Sequence, residues 1–261
     1  MNISGVDVAL VKPSEREEAW TEIKNEVEQS GRRLVAVDYT HPSVALGNAQ
    51  WYTNKVLPFV MGTTFHTQED ADELRRIVVD DASSDPSMYA VVAPNMGKPI
   101  VVMQAMIEAA SQEFGGSLEG YNLRVVESHQ LGKADTSGTA KAIVNSLSSL
   151  GVHGKTGTSS STSNKLDANG LIGEIEMIRD ADEQLAYGIP AEHIAGHAFH
   201  RYELTSPDGT VQLAFEHNVC GRAVYAEGTV DAVEFLDRVV QGQHERRFWS
   251  MLDVLGQGAM Q

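Results

Sequence analysis

Short apolar runs alternate with helical patterns through the first 92 residues of the chain. The runs at 34–37, 57–61 and 89–92 have the length and composition of buried strands. The segments between them, 43–55 and 67–81, have the spacing of apolar and polar residues that is typical of helices. Because strands that alternate with helices usually pair in parallel, the pattern predicts an α/β fold with ligands at the carboxyl ends of its strands.

The residues before Leu34 predict one more strand and one more helix. Val6 to Val11 form an apolar run, and Ser14 and Glu17 have the spacing of a capping box for a helix that ends near Gln29. We therefore expect four parallel strands in this half of the chain.

The second half of the chain predicts a mixed sheet. After Lys98 an apolar helical pattern continues to Phe114 and leads into a second region. The turn residues Pro-Asp-Gly at 207–209 predict that two of its strands form a hairpin. We expect a mobile loop in the Ser/Thr-rich tract 155–170. The predicted strands are 121–128, 172–178, 196–204 and 211–217, and the predicted C-terminal helices are 226–240 and 244–255.

Residues suited to chemistry are concentrated just after the strand-like run at 122–126. His129 falls at the carboxyl end of that strand, where an imidazole can act as a general acid or base. Lys133 follows one short loop later, and Ser-Gly-Thr at 137–139 begins a helical pattern whose free N–H groups can bind an anion. Each feature alone is also typical of a structural histidine, a solvated lysine or an ordinary helix cap. Their convergence predicts a pocket for an anionic substrate.

The sequence ESHQLGKADTSGTAKA at 127–142 resembles the signature of the 4-hydroxy-tetrahydrodipicolinate reductase (dihydrodipicolinate reductase) family, in particular of its plant-like branch. The resemblance implies that His129 and Lys133 are the catalytic residues. Gln130 stands where many bacterial relatives carry a second histidine, so this contact can only be an uncharged hydrogen bond. The residues implied in substrate binding are Gln130, Ser137, Gly138 and Thr139.

Four further segments, 37–42, 60–64, 93–98 and 217–233, extend the resemblance along nearly the whole chain. They imply a Rossmann-like domain that binds NADPH or NADH. Phe65 stands where the family usually has glycine, and its side chain could crowd the nicotinamide. The residues implied in cofactor binding are Gly62, Thr63, Thr64, Ala93, Pro94, Asn95, Met96 and Arg222.

The sequence differs most from the family's pattern at the glycine-rich turn that binds the dinucleotide. A Rossmann half begins with a strand, a glycine-rich turn and a helix, yet no G-x-G-x-x-G or G-x-x-G-x-x-G lies near the beginning of this sequence. The second spacing does occur at 151–157, but there it follows a helix, and we do not assign it to a nucleotide. The first residues resemble the family's sequence downstream of the turn, so we expect a dinucleotide domain that is incomplete at its start. Asp38 could bind a ribose, but the resemblance places it in a turn that we expect it to cap.

The resemblance also implies a discontinuous domain arrangement. Residues 1–97 and 221–261 would form the dinucleotide-binding domain, with its parallel sheet. Residues 98–220 would form an α+β domain with a mixed sheet, which binds substrate and mediates oligomerisation. We expect a homo-oligomer, either a dimer or a tetramer.

Charge and metal-ligand content exclude several partners. Twenty basic and 36 acidic residues give a formal net charge of −16, which argues against nucleic acid or an anionic membrane surface as a partner. The single cysteine, Cys220, excludes an intramolecular disulfide and a multi-cysteine zinc site. His193, His197 and His200 suggest a metal, but the strand-like pattern places the last two on opposite faces, so we predict no metal site.

The apolar runs are too short to span a membrane. We expect a cytoplasmic protein, or a plastid one if a transit segment precedes Met1 in the natural precursor.

The resemblance implies NAD(P)H-dependent reduction of 4-hydroxy-tetrahydrodipicolinate, a small dicarboxylate, to tetrahydrodipicolinate in lysine (diaminopimelate) biosynthesis. The alternative is a reductase-like scaffold or assembly protein that no longer binds dinucleotide, which the missing turn favours and the residues at 127–139 oppose. A sugar or inositol dehydrogenase-like oxidoreductase would share the two-domain plan, but it would leave the segment 127–142 unexplained.

Overall fold

The computed structural model describes residues 1–3, 5–63, 68–80, 88–133, 136–154 and 175–256. Helices and strands alternate through most of this part of the chain. In chain order they are β1 (Asn2–Ile3), β2 (Val6–Asp7), α1 (Arg16–Ser30), β3 (Ala36–Asp38), α2 (Pro42–Asn54), β4 (Phe59–Met61), α3 (Gln68–Asp80), β5 (Ala90–Val92), α4 (Lys98–Glu113), β6 (Asn122–His129), α5 (Gly138–Ser149), β7 (His153–Gly154), β8 (Ile175–Ile178), α6 (Ala181–Tyr187), β9 (His197–Thr205), β10 (Gln212–Cys220), α7 (Ala223–Gln241), β11 (Phe248–Trp249) and α8 (Met251–Gly256).

The first sheet is parallel, and its strands lie in the order β11-β5-β4-β3. Phe59 and Met61 of β4 pack with α2 and α3 on one face of this sheet. Val60, the residue between them, packs with Phe235 and Trp249 on the other face, beside α7 and α8. Side chains alternate along a strand, so burial of all three means that helices cover both faces. The predicted parallel α/β sheet is confirmed.

The second sheet is mixed. Its central strand, β6, pairs in parallel with β7 and β8 and antiparallel with β9, and β9 continues into β10 through a hairpin. The hairpin turn contains Gly209 at φ +73°, a backbone conformation that favours glycine, as the Pro-Asp-Gly signal predicted. Helices α4 and α5 pack against each other, and one apolar core joins them to the sheet.

The N-terminal segment differs from its prediction. β1 and β2 form an antiparallel ribbon of their own, and Val6 is 64% exposed. The predicted strand over residues 6–11 is therefore wrong, since only Val6 and Asp7 of this run belong to a strand and they do not join the parallel sheet. A two-residue ribbon offers no core, so Val6, Leu10 and Val11 of this run remain exposed.

The predicted capping box at Ser14 and Glu17 is also absent. A short 3-10 helix, Pro13–Glu15, precedes α1, and its N-cap N–H at Lys12 donates to the Glu15 carboxylate at 3.3 Å. The Glu17 carboxylate instead accepts hydrogen bonds from Trp51 Nε1 at 2.6 Å and Lys55 Nζ at 2.7 Å. These tertiary contacts with α2 replace the local cap.

The C-terminal segment contains a strand that the sequence did not reveal. A single helix was expected over 244–255, but β11 pairs with β5 before α8 begins. Ser250 and Asp253 begin α8, because the Ser250 N–H donates to the Asp253 carboxylate at 2.8 Å. Trp249 is 1% exposed, which shows why this short strand is inserted into the core.

Helix α6 and strand β7 were also missed, since both are short. Several expectations fall outside the described residues, namely Thr64, Phe65, the predicted helix start at Thr67 and the loop at 155–170. Of the strand expected over 172–178, the described part is Ile175–Ile178. Among the helices of the described ranges, none is long and apolar enough to cross a membrane.

Candidate active site

His129 ends β6 and faces the interior of the site. Its Nε2 lies 2.8 Å from Nε2 of His200 on β9, and the residue is 8% exposed. The side-chain amide of Gln184, at 0% exposure on α6, donates to the His129 carbonyl at 2.7 Å. Backbone and ring are thus both held by neighbouring elements.

The environment of His129 disfavours its charged form. Burial lowers the pKa of His129 to about 3, and the positive charges of Lys133 and Arg179 act in the same direction. The imidazole is therefore neutral at physiological pH in the ligand-free protein.

Arg179, directly after β8, forms a buried ion pair with Glu127. The Glu127 side chain is 0% exposed, and its Oε1 accepts a hydrogen bond from Arg179 Nη2. Arg179 Nε donates to the Lys133 carbonyl at 2.9 Å, while Glu127 Oε2 accepts from the Ser137 N–H at 3.1 Å. The pair thereby holds the backbone on both sides of the loop between β6 and α5.

The start of α5 has backbone N–H groups that are suited to binding an anion. Ser137 is the N-cap, and the first backbone N–H groups of a helix have no partner within the helix. A cavity of about 170 Å³ lies in front of them, lined among others by Lys133, Gly138 and Thr139. His129, His200 and His217 line the same cavity, so a small anion there would meet a cation, a helix start and three imidazoles.

Asn95 connects this helix start to the parallel sheet. Its Nδ2 donates to Thr139 Oγ1 at 2.9 Å, and its Oδ1 accepts from the Gly97 N–H at 2.8 Å. Asn95 therefore fixes the loop after β5 against α5 and orients the Thr139 hydroxyl.

A larger cavity of about 600 Å³ lies next to the first. Its lining includes Tyr39, Gln130, Gly196 and Arg222. His129, Ala198 and Tyr225 line both cavities. A group bound in the larger cavity would therefore lie against the same histidine as an anion bound in the smaller one.

The wall of the larger cavity depends on two close approaches to glycine. A Cβ on Gly62 would overlap the ring of Tyr39, whose hydroxyl is hydrogen-bonded to Thr229 on α7. A Cβ on Gly228 would overlap the carbonyl oxygen of Met96. Glycine at both positions lets α7 and the loop after β3 pack directly on the strand ends.

Asp38 is saturated by the turn that follows it. Its carboxylate accepts hydrogen bonds from the Thr40 N–H and hydroxyl, from Asn48 and from Tyr52, all between 2.7 and 2.9 Å. Burial alone would raise the pKa of Asp38, but these bonds outweigh it and lower the pKa. The carboxylate therefore caps the turn, as expected, and both of its oxygens already accept hydrogen bonds within the protein.

Two family models cover nearly the whole chain. Residues 4–96 match the model described as dihydrodipicolinate reductase, N-terminus, and residues 99–255 match dihydrodipicolinate reductase, C-terminus. The chain belongs to the dihydrodipicolinate reductase family. The resemblance found at 127–142 and the α/β fold with a parallel and a mixed sheet are thereby confirmed.

Alignments of the whole of this chain with plant proteins agree with this assignment. The chain is 41% identical over 261 residues to two Arabidopsis thaliana proteins, 4-hydroxy-tetrahydrodipicolinate reductases 1 and 2, chloroplastic, and spans 67% of the length of each. A Haloarcula marismortui protein named 4-hydroxy-tetrahydrodipicolinate reductase is 28% identical over 232 residues. The fold is similar to that of a dipicolinate-bound dihydrodipicolinate reductase from Paenisporosarcina sp. TG-14, with a TM-score of 0.52, 15% identity and coverage of 88% of this chain and 76% of that one.

The site residues expected in this family member fall into three groups. His129, Lys133, Pro94, Asn95 and residues 137–139 line the smaller cavity. Gln130 and Arg222 line the larger one. The third group follows the carboxyl ends of β4 and β5 and lies outside the lining of these two cavities. It consists of Gly62, Thr63, Ala93 and Met96, of which the last three are buried.

The sequence did not reveal Arg179, and it did not place His200 and His217 beside His129. Arg179 lies outside the segments that resemble the family, and it contacts Glu127 across 52 positions. The signal for His200 and His217 was the hairpin turn at 207–209, because the register of that hairpin sets the two residues opposite each other.

Potential metal ligands also occur in this family member. One ligand atom from each of Glu127, His129 and His200 lies within 4.8 Å of the others. The Arg179 guanidinium already neutralises Glu127, so a cation would have to compete with it. His197 lies on the opposite face of the sheet from His200, as the strand pattern predicted. Its Nε2 is hydrogen-bonded to Ser128 Oγ at 2.8 Å.

Proposed function

We propose that this chain reduces 4-hydroxy-tetrahydrodipicolinate to tetrahydrodipicolinate with NADPH or NADH, in the diaminopimelate route to lysine. The observation that carries the proposal is the position of His129, which lines both cavities. A substrate in the smaller cavity and a nicotinamide in the larger one would meet at this residue. Family membership and the names of the plant relatives supply the identity of the reaction.

The smaller cavity suits a dicarboxylate. Lys133 and the N–H groups of Gly138 and Thr139 are local positive groups in a chain whose net charge is −16. A carboxylate at the start of α5 would accept charge-assisted hydrogen bonds, which are about twice as strong as neutral ones. We therefore assign substrate binding to Lys133, Ser137, Gly138 and Thr139, with Gln130 at the boundary between the cavities.

His129 supplies the proton in this proposal. Replacing a hydroxyl by hydrogen requires one hydride, which the reduced nicotinamide supplies when bound, and one proton, which leaves with the hydroxyl as water. The imidazole lies at the junction where that proton is needed. Lys133 stabilises negative charge on the reacting substrate.

Substrate binding would itself prepare His129 for this role. In the free protein Lys133 and Arg179 oppose protonation of the ring, and the pKa of His129 is about 3. Two substrate carboxylates would offset these charges and raise the pKa of His129 in the complex. The acid would then be charged in the presence of its substrate.

The dinucleotide is assigned to the larger cavity and the strand ends behind it. We propose that Gly62, Thr63 and Thr64, residues 93–96 and Arg222 contact it or shape its site. Residues 1–97 and 221–261 would form the cofactor domain, and residues 98–220 the substrate and oligomerisation domain. A dimer or tetramer and a cytoplasmic location stay predictions, and the Arabidopsis relatives are named chloroplastic.

The test is an assay of NADPH and NADH oxidation with freshly generated 4-hydroxy-tetrahydrodipicolinate. We expect turnover, with His129→Ala and Lys133→Ala each lowering kcat by a factor of about 10² or more. Lys141→Ala, an exposed lysine on α5, and His153→Ala, an exposed histidine on β7, are the matched controls. Absence of turnover in the unsubstituted protein would overturn the proposal and favour the scaffold alternative. Unchanged turnover in both site variants would overturn the catalytic assignments.

A further inference from the structure

His200 and Tyr202 lie behind His129, and neither has a role in the reaction proposed above. We propose that His200 is a positioning residue, which, held by Tyr202, fixes the ring orientation and the tautomer of His129. This inference rests on the proposed function for its catalytic meaning, but its structural content can be measured without turnover.

The mixed sheet places these residues on one face. In the antiparallel register His200 lies opposite Glu127, and Tyr202 lies opposite Val125. On the other side His200 lies opposite His217. Directly opposite residues of antiparallel strands share a face, so His200 is enclosed between two strands, next to the ring of His129. His200 is 1% exposed and Tyr202 is 0% exposed.

Two hydrogen bonds connect the three side chains. His200 Nδ1 lies 2.9 Å from the Tyr202 hydroxyl, and His200 Nε2 lies 2.8 Å from His129 Nε2. His200 therefore uses both ring nitrogens, one toward Tyr202 and the other toward His129.

These bonds determine where the protons lie. A buried hydroxyl has to donate its proton, and within the described residues the hydrogen bond recorded for the Tyr202 hydroxyl is the one to His200. His200 Nδ1 is then an acceptor, so the proton of a neutral His200 is on Nε2, which donates to His129 Nε2. It follows that the proton of a neutral His129 is on Nδ1.

The surroundings keep this arrangement uncharged. Burial, followed by the neighbouring rings of His217 and His129, holds the pKa of His200 well below its ordinary value. Burial and the charge of Glu127 raise the pKa of Tyr202, so its hydroxyl keeps its proton. Lys133 and Arg179 also oppose a charge on His200.

His217 restrains the ring of His200 from the other side. The two ring centroids are 4.5 Å apart, and the planes are tilted by 35°. His200 and His129 meet edge to face, with centroids 4.9 Å apart and planes at 81°. Rotation of His200 is thus limited by a ring on one side and by two hydrogen bonds on the others.

The same contacts can accommodate the protonated acid. When both nitrogens of His129 carry protons, Nε2 has to donate, and His200 can accept only if its own proton moves to Nδ1. The Tyr202 oxygen then accepts from His200 Nδ1, and the Tyr202 hydroxyl proton loses its acceptor, so this arrangement costs one buried hydrogen bond relative to the neutral one. His200 therefore matches its tautomer to the protonation state of His129, which a side chain without two ring nitrogens cannot do.

The decisive variant is Tyr202→Phe, which removes one hydroxyl and keeps the ring. The matched control is Tyr187→Phe on α6, a tyrosine of intermediate exposure with no recorded hydrogen bond to the three side chains. Imidazole nitrogen chemical shifts, measured by NMR on the ligand-free protein, report the tautomer of His129 directly. We expect the Nδ1–H form in the unsubstituted protein and in Tyr187→Phe, and a mixture of tautomers in Tyr202→Phe.

Kinetics supply the second readout. We expect Tyr202→Phe to lower kcat by about tenfold with a nearly unchanged KM, and to shift the pH profile of kcat, because the position of the proton changes while the cavity does not. His200→Gln, which can still donate and accept, should retain more activity than His200→Phe. Far-UV circular dichroism shows whether the His200 variants fold. If they do not, the NMR and kinetic results for Tyr202→Phe decide whether the inference holds.

Two outcomes would overturn the inference: an unsubstituted protein with His129 protonated on Nε2, or the same His129 tautomer and the same pH profile in Tyr202→Phe. Because the NMR measurement needs no substrate, a failure of the proposed reaction leaves this test intact.

Discussion

Glu127 and Arg179 are joined by a buried ion pair that also binds the backbone on both sides of the loop carrying Lys133. The carboxylate anchors the start of α5 through the Ser137 N–H, and the guanidinium anchors the Lys133 carbonyl. Both partners would be costly to bury alone, so each is stabilised mainly by the other. The relative positions of Lys133 and the start of α5 therefore depend on this pair.

Arg179→Ala should reduce both stability and substrate affinity. Removing one partner leaves the Glu127 charge buried and unpaired, which typically costs about 3–5 kcal/mol. We expect this loss in urea unfolding, together with an increase in KM for the substrate. Arg124→Ala is the control, because its side chain is 54% exposed although it also forms two ion pairs, with Glu176 and Glu203. Exposed pairs contribute about 0–1 kcal/mol, so equal losses in the two variants would contradict the assignment.

Arg179→Lys separates charge from geometry. Lysine keeps the positive charge beside Glu127, but it cannot donate at once to the carboxylate and to the Lys133 carbonyl as the guanidinium does. We expect most of the folding stability to be retained while KM still rises. A KM equal to that of the unsubstituted protein would show that the position of the loop does not depend on the forked donor.

Folding stability should fall as the pH decreases below about 6.5. Burial lowers the pKa of His217 to about 4 and that of His129 to about 3, so between these values and the ordinary pKa the unfolded chain binds more protons than the folded one. The free energy of unfolding that the two neutral histidines contribute is fully present above the pKa of histidine in the unfolded chain, and it is lost as the pH falls through this window. For His217 alone it amounts to about 3 kcal/mol at most.

The measurement is urea unfolding from pH 7 to pH 4. We expect His217→Gln to flatten the dependence of the unfolding free energy on pH, whereas His153→Gln, at an exposed position on β7, should leave it unchanged. Parallel curves for all three proteins would contradict the prediction.

Gly62→Ala should destabilise the protein by about 1–3 kcal/mol, because the new Cβ would overlap the ring of Tyr39 and force it away from Thr229. Gly47→Ala on α2 is the matched control, since a Cβ there meets no atom within 4 Å. Alanine within a helix is favoured over glycine by about 0.5–1 kcal/mol, so this control should be slightly stabilised. Thermal unfolding tests whether Gly62→Ala lowers the stability while Gly47→Ala raises it.

The sequence alone predicted the features that depend on neighbours along the chain. The repeating apolar runs gave β3, β4 and β5 and the helices between them, because burial on both faces of a parallel sheet needs such runs. The resemblance at 127–142 gave the family, and the end of β6 and the start of α5 lie within a few residues of their expected positions.

Only the tertiary structure decided which distant side chains meet. Arg179 reaches Glu127 across 52 positions, and His200 reaches His129 across 71. The run at 6–11 has a strand-like pattern, but its first two residues pair with β1 in a separate ribbon. The run at 244–255 has a helix-like pattern, but part of it pairs with β5. Local propensity changes the free energy of folding by only tenths of a kcal/mol per residue. Burial of Trp249, or loss of one partner of the Glu127–Arg179 pair, changes it by about 2 kcal/mol or more. Tertiary packing therefore determined these elements.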